Sequence, residues 1–205
     1  MSYVKSTTVP HARTKKYRYT ELVVALGGLP GAGKSVLANR LLRPLTIEHR
    51  RPMIISSDQI RKHIFGVAPT VRLPPEASSD HATDLVHEAI VAHVAARIGV
   101  GPTIVVATFR DPGFSDVLQA ATDRQQGQFV GFWIDTPIEV LEARFLDRED
   151  DVPYAMGTLH EILQEGIARP SEWIVIEGGD LEKGRQRILT TIKNGWVEFD
   201  LPSSG

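Results

Sequence analysis

A glycine-rich segment near the N-terminus has the residue types and spacing of a phosphate-binding loop. It reads Gly28-Leu29-Pro30-Gly31-Ala32-Gly33-Lys34-Ser35, a full match to the Walker A pattern. Glycines let such a backbone curl until its N–H groups point inward, toward phosphates at the start of the next helix. Lysine reaches the β- and γ-phosphates, and the serine hydroxyl offers Mg²⁺ a hard oxygen. We therefore predict that these eight residues bind ATP, with ATP and Mg²⁺ as cofactors.

A carboxylate and an arginine, three residues apart, follow the second apolar run. Asp58 stands at a predicted helix start, and Arg61 lies one turn later on the same face. Asp58 can accept the proton of an acceptor hydroxyl or bind Mg²⁺, while Arg61 holds the acceptor or neutralises the transferred phosphoryl group. The alternative is an ordinary helix start, with Asp58 in the first turn and Arg61 in solvent.

Two arginines lie four residues apart on a later predicted helix. Arg144 and Arg148 would share one helix face beside the charged stretch 147–151. Such a pair suits a lid near 144–157 that closes over ATP, excludes water and stabilises charge on the phosphates, with Arg148 catalytic. A charged, solvated helix face is the alternative.

Apolar runs and helical patterns alternate along the chain, and these predicted elements must position the residues named above. Unbroken apolar runs are typical of buried parallel strands, and their alternation with helices predicts an α/β doubly wound domain. Ligands of such sheets bind beyond the carboxyl ends of the strands, where all three motifs fall. The predicted strands are 22–26, 53–55, 103–107, 129–134 and 173–176, and the predicted helices are near 34–43, 58–65, 80–98, 113–125, 137–148, 157–168 and 180–194.

The 205 residues fit one domain, which we place at 21–196 between a basic arm at 1–20 and a tail at 197–205. The arm carries five Lys or Arg and no acid, although the whole chain has a formal charge of -2. The absence of cysteine excludes disulfides and thiolate metal sites. No apolar run is long enough to cross a bilayer, so we expect no membrane partner and a cytoplasmic location.

Taken together, the motifs resemble the zeta-toxin and polynucleotide-kinase-like group of P-loop kinases, an AAA-type ATP-binding domain. The resemblance covers about residues 21–155. It rests on the loop 28–35, Ser57-Asp58-x-x-Arg61-Lys62 followed by Phe65-Gly66, Ala107-Thr108-Phe109, and Pro137 through Arg144 to Arg148.

The resemblance implies a three-layer fold like that of nucleoside monophosphate kinases, with a five-stranded parallel sheet in the order 2-3-1-4-5. It assigns Asp58 as the catalytic base, Arg61 to the acceptor, and Arg144 and Arg148 to the lid. By the same comparison, Thr108 and Arg110 lie near the acceptor. One position departs from the group: Val106 stands where many relatives carry a carboxylate.

We therefore predict a kinase that phosphorylates a hydroxyl of a small molecule. A 5'-hydroxyl polynucleotide kinase, which the basic arm would suit, a zeta-toxin-like nucleotide-sugar kinase and a non-kinase ATPase or switch are the alternatives. His81, His87 and His93 recur at steps of six along one predicted helix, about 120° apart around its axis, so they do not form a metal site. We expect Trp133, Trp173 and Trp196 to pack in the core or at its edge rather than to stack on nucleic-acid bases.

Overall fold

The computed structural model describes residues 19–146, 159–164, 166 and 169–195. Within them, five strands form one all-parallel sheet in the order β2-β3-β1-β4-β5. The strands are β1 (Leu22–Gly27), β2 (Met53–Ser56), β3 (Thr103–Val106), β4 (Gln128–Asp135) and β5 (Ile174–Glu177). The predicted fold class and strand order are confirmed.

Helices connect these strands and cover both faces of the sheet, as parallel connections require. They are α1 (Lys34–Leu42), α2 (Ser57–Ile64), α3 (Asp80–Arg97), α4 (Pro112–Arg124), α5 (Ile138–Leu146) and α6 (Leu181–Gly195). Residues 159–164 are also helical. Short 3-10 turns lie at Tyr19–Glu21 and Pro75–Ser78.

The central strand β1 supplies both halves of the core. All six of its residues are buried, and successive side chains point to opposite faces of the sheet. One face packs against α1 and α6, and the other against α3 and α4. Burial on both faces is the physical reason that β1 is a continuous apolar run.

Side-chain caps define where two of the site-bearing helices begin. The Ser79 hydroxyl accepts a hydrogen bond from the Ala82 N–H at 3.3 Å at the start of α3. The Asp111 carboxylate accepts one from the Gly113 N–H at 2.8 Å at the start of α4. Such caps typically contribute about 1 kcal/mol each.

The predicted elements agree with the structure to within about two residues wherever the structure describes them. β3 ends at Val106 rather than at Ala107. Of the predicted helix 157–168, residues 159–164 are helical, whereas Gly166 has a φ of 75° and lies outside the helix. The lid beyond Leu146, the tail at 197–205 and all but the last two residues of the basic arm lie outside the described residues. No helix in the described part of the chain could span a membrane.

Candidate active site

The predicted site residues that the structure describes lie at the carboxyl edge of the sheet, where the loops after β1, β2, β3 and β4 are neighbours. The loop after β1 holds residues 28–33 and leads into α1. The sheet order sets the ends of β3 and β2 on one side of this loop, and the ends of β4 and β5 on the other. The acceptor-side candidates therefore lie on one side of the loop and Arg144 on the other.

Close packing leaves no room for side chains at the loop glycines. Gly28 and Gly33 have φ values of 135° and 98°, which L residues with a side chain rarely adopt. A Cβ at Gly28 would lie 2.6 Å from the Ile134 carbonyl oxygen, and one at Gly33 would lie 2.7 Å from Leu181 Cδ2. Backbone conformation therefore requires glycine at both positions, and the close approach of the β4 backbone adds a second reason at Gly28.

Two distant side chains hold the outside of the loop. The Thr136 hydroxyl, buried just after β4, donates to the Ala32 carbonyl oxygen at 3.2 Å. The Arg144 guanidinium donates to the Gly31 carbonyl oxygen at 3.0 Å and to that of Gly178 at 2.8 Å. These contacts tie the loop to the ends of β4 and β5 and to α5.

Lys34 lies over the loop that precedes it. Its Nζ donates to the carbonyl oxygens of Gly28 and Leu29, each at 2.7 Å. Burial lowers the pKa of this amino group to about 7, because desolvation disfavours the charged form. Ser35 follows in the first turn of α1 with an exposed side chain. An anion over the loop would meet N–H donors, a helix N-terminus and this amino group together.

Asp58 is the first of the residues predicted to lie near the acceptor. It lies in the first turn of α2 with its side chain 65% exposed, and its Oδ2 is 3.8 Å from Lys62 Nζ. Lys62 also donates to the carbonyl oxygen of Pro69, in the loop between α2 and α3. The Lys62 side chain is only 20% exposed, so the carboxylate is the solvent-facing member of this pair.

Arg61 points across to α3. Its guanidinium donates to the Ala77 carbonyl oxygen and, from Nη2, to the Thr83 hydroxyl at 3.2 Å. Burial lowers the pKa of this half-buried group, and the nearby Asp58 carboxylate opposes the shift. The alternative that placed Arg61 in solvent is wrong, because two hydrogen bonds tie it to α3 and the turn before it.

The loop after β3 owes its shape to a buried aromatic residue. Phe109 has a φ of 50° and packs on Phe114 and Trp173, with ring centroids 5.2 and 4.6 Å away. Its neighbours Thr108 and Arg110 are half-buried and exposed, respectively. Trp133 and Trp173 are buried, as predicted, whereas Trp196 lies outside the described residues.

One predicted site residue lies outside the described part of the chain, and two further residues that contact the phosphate loop or Arg144 were not predicted. Arg148 lies outside the described residues. Thr136 and Gly178 were missed, although a polar residue directly after an apolar strand and a Gly-Gly pair are signals that could have pointed to them. No group of three or more acids or histidines in the described residues could by itself hold a metal ion.

A parallel sheet in this order, with a glycine loop between β1 and α1, defines the P-loop NTPase fold of the nucleoside-kinase type. The family model AAA_33, described as an AAA domain, matches residues 23–169. The chain therefore belongs to this family.

Solved kinases share the fold at low sequence identity. A gluconokinase from Sinorhizobium meliloti 1021 is 16% identical with a TM-score of 0.59, over 87% of this chain and 99% of that one. The APS kinase CysC of Mycobacterium tuberculosis, solved with AMPPNP and APS, is 16% identical with a TM-score of 0.65, over 84% and 97%. Shikimate kinase from Bacteroides thetaiotaomicron is 18% identical with a TM-score of 0.55, over 84% and 98%.

Proposed function

We propose that this protein is an ATP-dependent phosphotransferase that moves the γ-phosphoryl group of ATP to a hydroxyl of a small molecule. One observation carries the proposal. The phosphate loop and Asp58 both lie at the carboxyl edge of the sheet, and only the loop after β3 lies between them. A phosphoryl donor held by the loop would thus face a carboxylate that can take a proton.

On the donor side, residues 28–35 bind the nucleotide. The loop N–H groups and Lys34 neutralise the phosphates, and Lys34 exchanges its contacts with the carbonyl oxygens of Gly28 and Leu29 for stronger ones with phosphate oxygens. Arg144 fixes the loop through the Gly31 carbonyl oxygen. Arg148 completes the donor side and stabilises charge on the transferred group.

On the acceptor side, the hydroxyl oxygen of the small molecule attacks the γ-phosphorus and forms the new P–O bond. The bond from the γ-phosphorus to the β,γ-bridging oxygen breaks, and ADP leaves. Asp58 takes the proton from the attacking hydroxyl, and its exposed carboxylate can reach an incoming molecule. Arg61, Thr108 and Arg110 hold the acceptor in line with the phosphoryl group.

The oxygen donors present suit Mg²⁺ bound together with nucleotide phosphates. Mg²⁺ prefers oxygen ligands and keeps several waters, so one hydroxyl and one carboxylate from the protein suffice. Ser35 would supply the hydroxyl, and Asp58 would supply the carboxylate in the alternative to its role as base; both side chains are exposed at this edge. The ion would add positive charge beside the phosphates.

The kinases that share the fold support a small acceptor, since a gluconokinase, an APS kinase and a shikimate kinase are each named for a small-molecule substrate. Within the P-loop kinases we assign the chain to the zeta-toxin and polynucleotide-kinase-like group on its motifs. Val106 ends β3 as a buried apolar residue. Asp58 therefore acts alone here, whereas in many relatives a second carboxylate at the position of Val106 shares its role.

The test is a screen of ADP formation from Mg-ATP against sugars, polyols, hydroxy acids, nucleosides and 5'-hydroxyl oligonucleotides. We expect a small hydroxyl compound to raise ADP formation well above the rate with water alone and to be recovered as its phosphate ester. Slow ADP release that no acceptor accelerates would identify a non-kinase ATPase instead. Phosphorylation of oligonucleotides alone would replace the small-molecule acceptor by a polynucleotide.

A further inference from the structure

We infer that His87 is an acceptor-side specificity residue that reads a hydroxyl group of an uncharged, polyhydroxylated acceptor. This inference rests on the proposed function and deepens it. Sequence reasoning considered His87 only as a metal ligand and rejected it. The structure gives this side chain a fixed orientation, polar neighbours and a place beside Arg61.

Stacking fixes the ring of His87. Its imidazole lies flat on the Phe114 ring at the start of α4, with centroids 3.7 Å apart and an interplanar angle of 5°. The ring is half-buried, so one face is covered while the side chain keeps access to solvent. Stacking leaves the edge of the ring, which carries both nitrogens, to make hydrogen bonds.

The same helix face carries the group that holds Arg61. Thr83 lies one turn before His87 on α3, and its hydroxyl accepts a hydrogen bond from Arg61 at 3.2 Å. Phe114 follows the loop that holds Thr108 and Arg110. His87 thus lies between α2 and the loop after β3, the two elements assigned to the acceptor.

The charges around His87 favour an uncharged acceptor. Burial lowers the pKa of the imidazole below its ordinary value of 6.5, Arg61 lowers it further, and Asp111 and Asp84 oppose the shift. The imidazole is therefore neutral near pH 7, with one nitrogen as donor and the other as acceptor. A hydroxyl group can satisfy either nitrogen.

The two cations on α2 beside His87 and Asp58 already contact the protein. Arg61 is held by Ala77 and Thr83, and Lys62 by Pro69 and Asp58. Arg110 is an exposed cation of the loop after β3. The carboxylates of Asp58, Asp84 and Asp111 on the same side accept hydrogen bonds from hydroxyls but repel an anionic acceptor.

The experiment uses the full chain with His87→Asn and the matched control His93→Asn, which changes an exposed histidine six residues further along the same helix. The panel contains neutral polyols such as D-glucose and myo-inositol, and the anions D-gluconate and shikimate. We expect a neutral polyol to be phosphorylated. His87→Asn should raise its KM about tenfold, the loss of roughly one hydrogen bond, with kcat changed little. His93→Asn should match the wild type.

The pH profile adds a readout that a purely structural role would not move. The wild-type KM should rise as the pH falls below the ordinary imidazole pKa of 6.5, because protonation removes the acceptor nitrogen, and the profile of His87→Asn should be flatter. An unchanged KM and profile in His87→Asn, or an anion as the preferred acceptor, would overturn the inference.

Failure of the proposed function has a separate signature. If neither a panel member nor any compound of the wider screen stimulates ADP formation, the kinase proposal fails, and binding alone then decides the role of His87. The NMR signals of the His87 ring should then shift on addition of the neutral polyols and not on addition of the anions. No shift with any polyol would overturn the inference as well.

Discussion

The Arg144 guanidinium donates a hydrogen bond to the carbonyl oxygen of Gly31 at 3.0 Å, across 113 residues of sequence. Its second bond, to the Gly178 carbonyl oxygen at 2.8 Å, joins the same side chain to the loop after β5. Arg144, the predicted lid arginine, therefore contacts the backbone of the phosphate loop through a carbonyl oxygen. It fixes the loop backbone whose N–H groups are to meet the nucleotide.

Arg144→Ala should weaken Mg-ATP binding about tenfold, because the loop loses a charged donor that contributes about 1.5–3 kcal/mol. Calorimetric titration measures this change. Arg185→Ala is the matched control, since that arginine makes its hydrogen bonds with Glu182 on the surface of α6. Equal ATP affinities in the two variants would show that the contact with Gly31 does not support binding.

Lys34→Ala should lower Mg-ATP affinity by about 100-fold, or about 2.8 kcal/mol, because it removes the amino group assigned to the terminal phosphates. The control is Lys183→Ala, which removes an exposed lysine paired with Glu177 at 2.8 Å. Thermal unfolding of both variants checks that the fold is retained. Wild-type ATP affinity in Lys34→Ala would contradict the assignment of residues 28–35.

ATP binding should take up a proton above neutral pH. The pKa of Lys34 is about 7 in the free protein, and phosphates beside the amino group raise it. At about pH 8 the free amino group is mostly neutral and the bound one charged, so affinity should fall with rising pH, by at most about tenfold per unit. Calorimetry in buffers of different ionisation enthalpy should detect uptake approaching one proton.

Lys34→Arg is the control for this uptake, because a guanidinium stays charged throughout. Proton release, or uptake that persists in Lys34→Arg, would contradict the prediction. The same pKa has a consequence for folding. The folded state binds fewer protons than the unfolded chain between about pH 7 and the ordinary lysine value of 10.5, so Lys34 makes stability rise with pH over that interval.

Asp58→Asn should slow phosphoryl transfer by about 10²- to 10⁴-fold, because the amide keeps the shape of the side chain and cannot take the proton. Mg-ATP affinity should stay near the wild-type value if Asp58 acts as the base. Weaker binding that is restored by higher Mg²⁺ would assign it to the metal instead. Asp123→Asn, an exposed change late in α4, is the control, and unchanged transfer in Asp58→Asn would contradict both roles.

Gly33→Ala should destabilise the fold and impair ATP binding together. Its φ of 98° and the 2.7 Å approach of Leu181 Cδ2 leave no strain-free place for a methyl group, so we expect a loss of at least about 1–3 kcal/mol. Gly179→Ala is the matched control, because a Cβ there would meet nothing within 4 Å. Thermal unfolding and ATP titration should separate the two variants, and equal melting temperatures would refute this account.

The sequence by itself determined the strands, the helices and the phosphate loop. These features depend on local sequence. An unbroken apolar run indicates a strand that is buried on both faces, and closely spaced glycines indicate a loop with positive φ values. Asp58 and Arg61 could likewise be placed on one helix face from their spacing alone. The order of the strands came from the resemblance, because the apolar pattern sets which runs are strands but not which ones pair.

Only the tertiary structure decided which distant groups meet. Thr136 reaches Ala32 across 104 residues, and Arg61 is held by Thr83 on another helix rather than by solvent. The His87 ring stacks on Phe114 because α3 and α4 pack on the same face of the sheet. The six-residue spacing of the histidines on α3 could not predict that His87 meets Phe114 on α4. Helix packing depends on the whole buried surface and not on any short pattern.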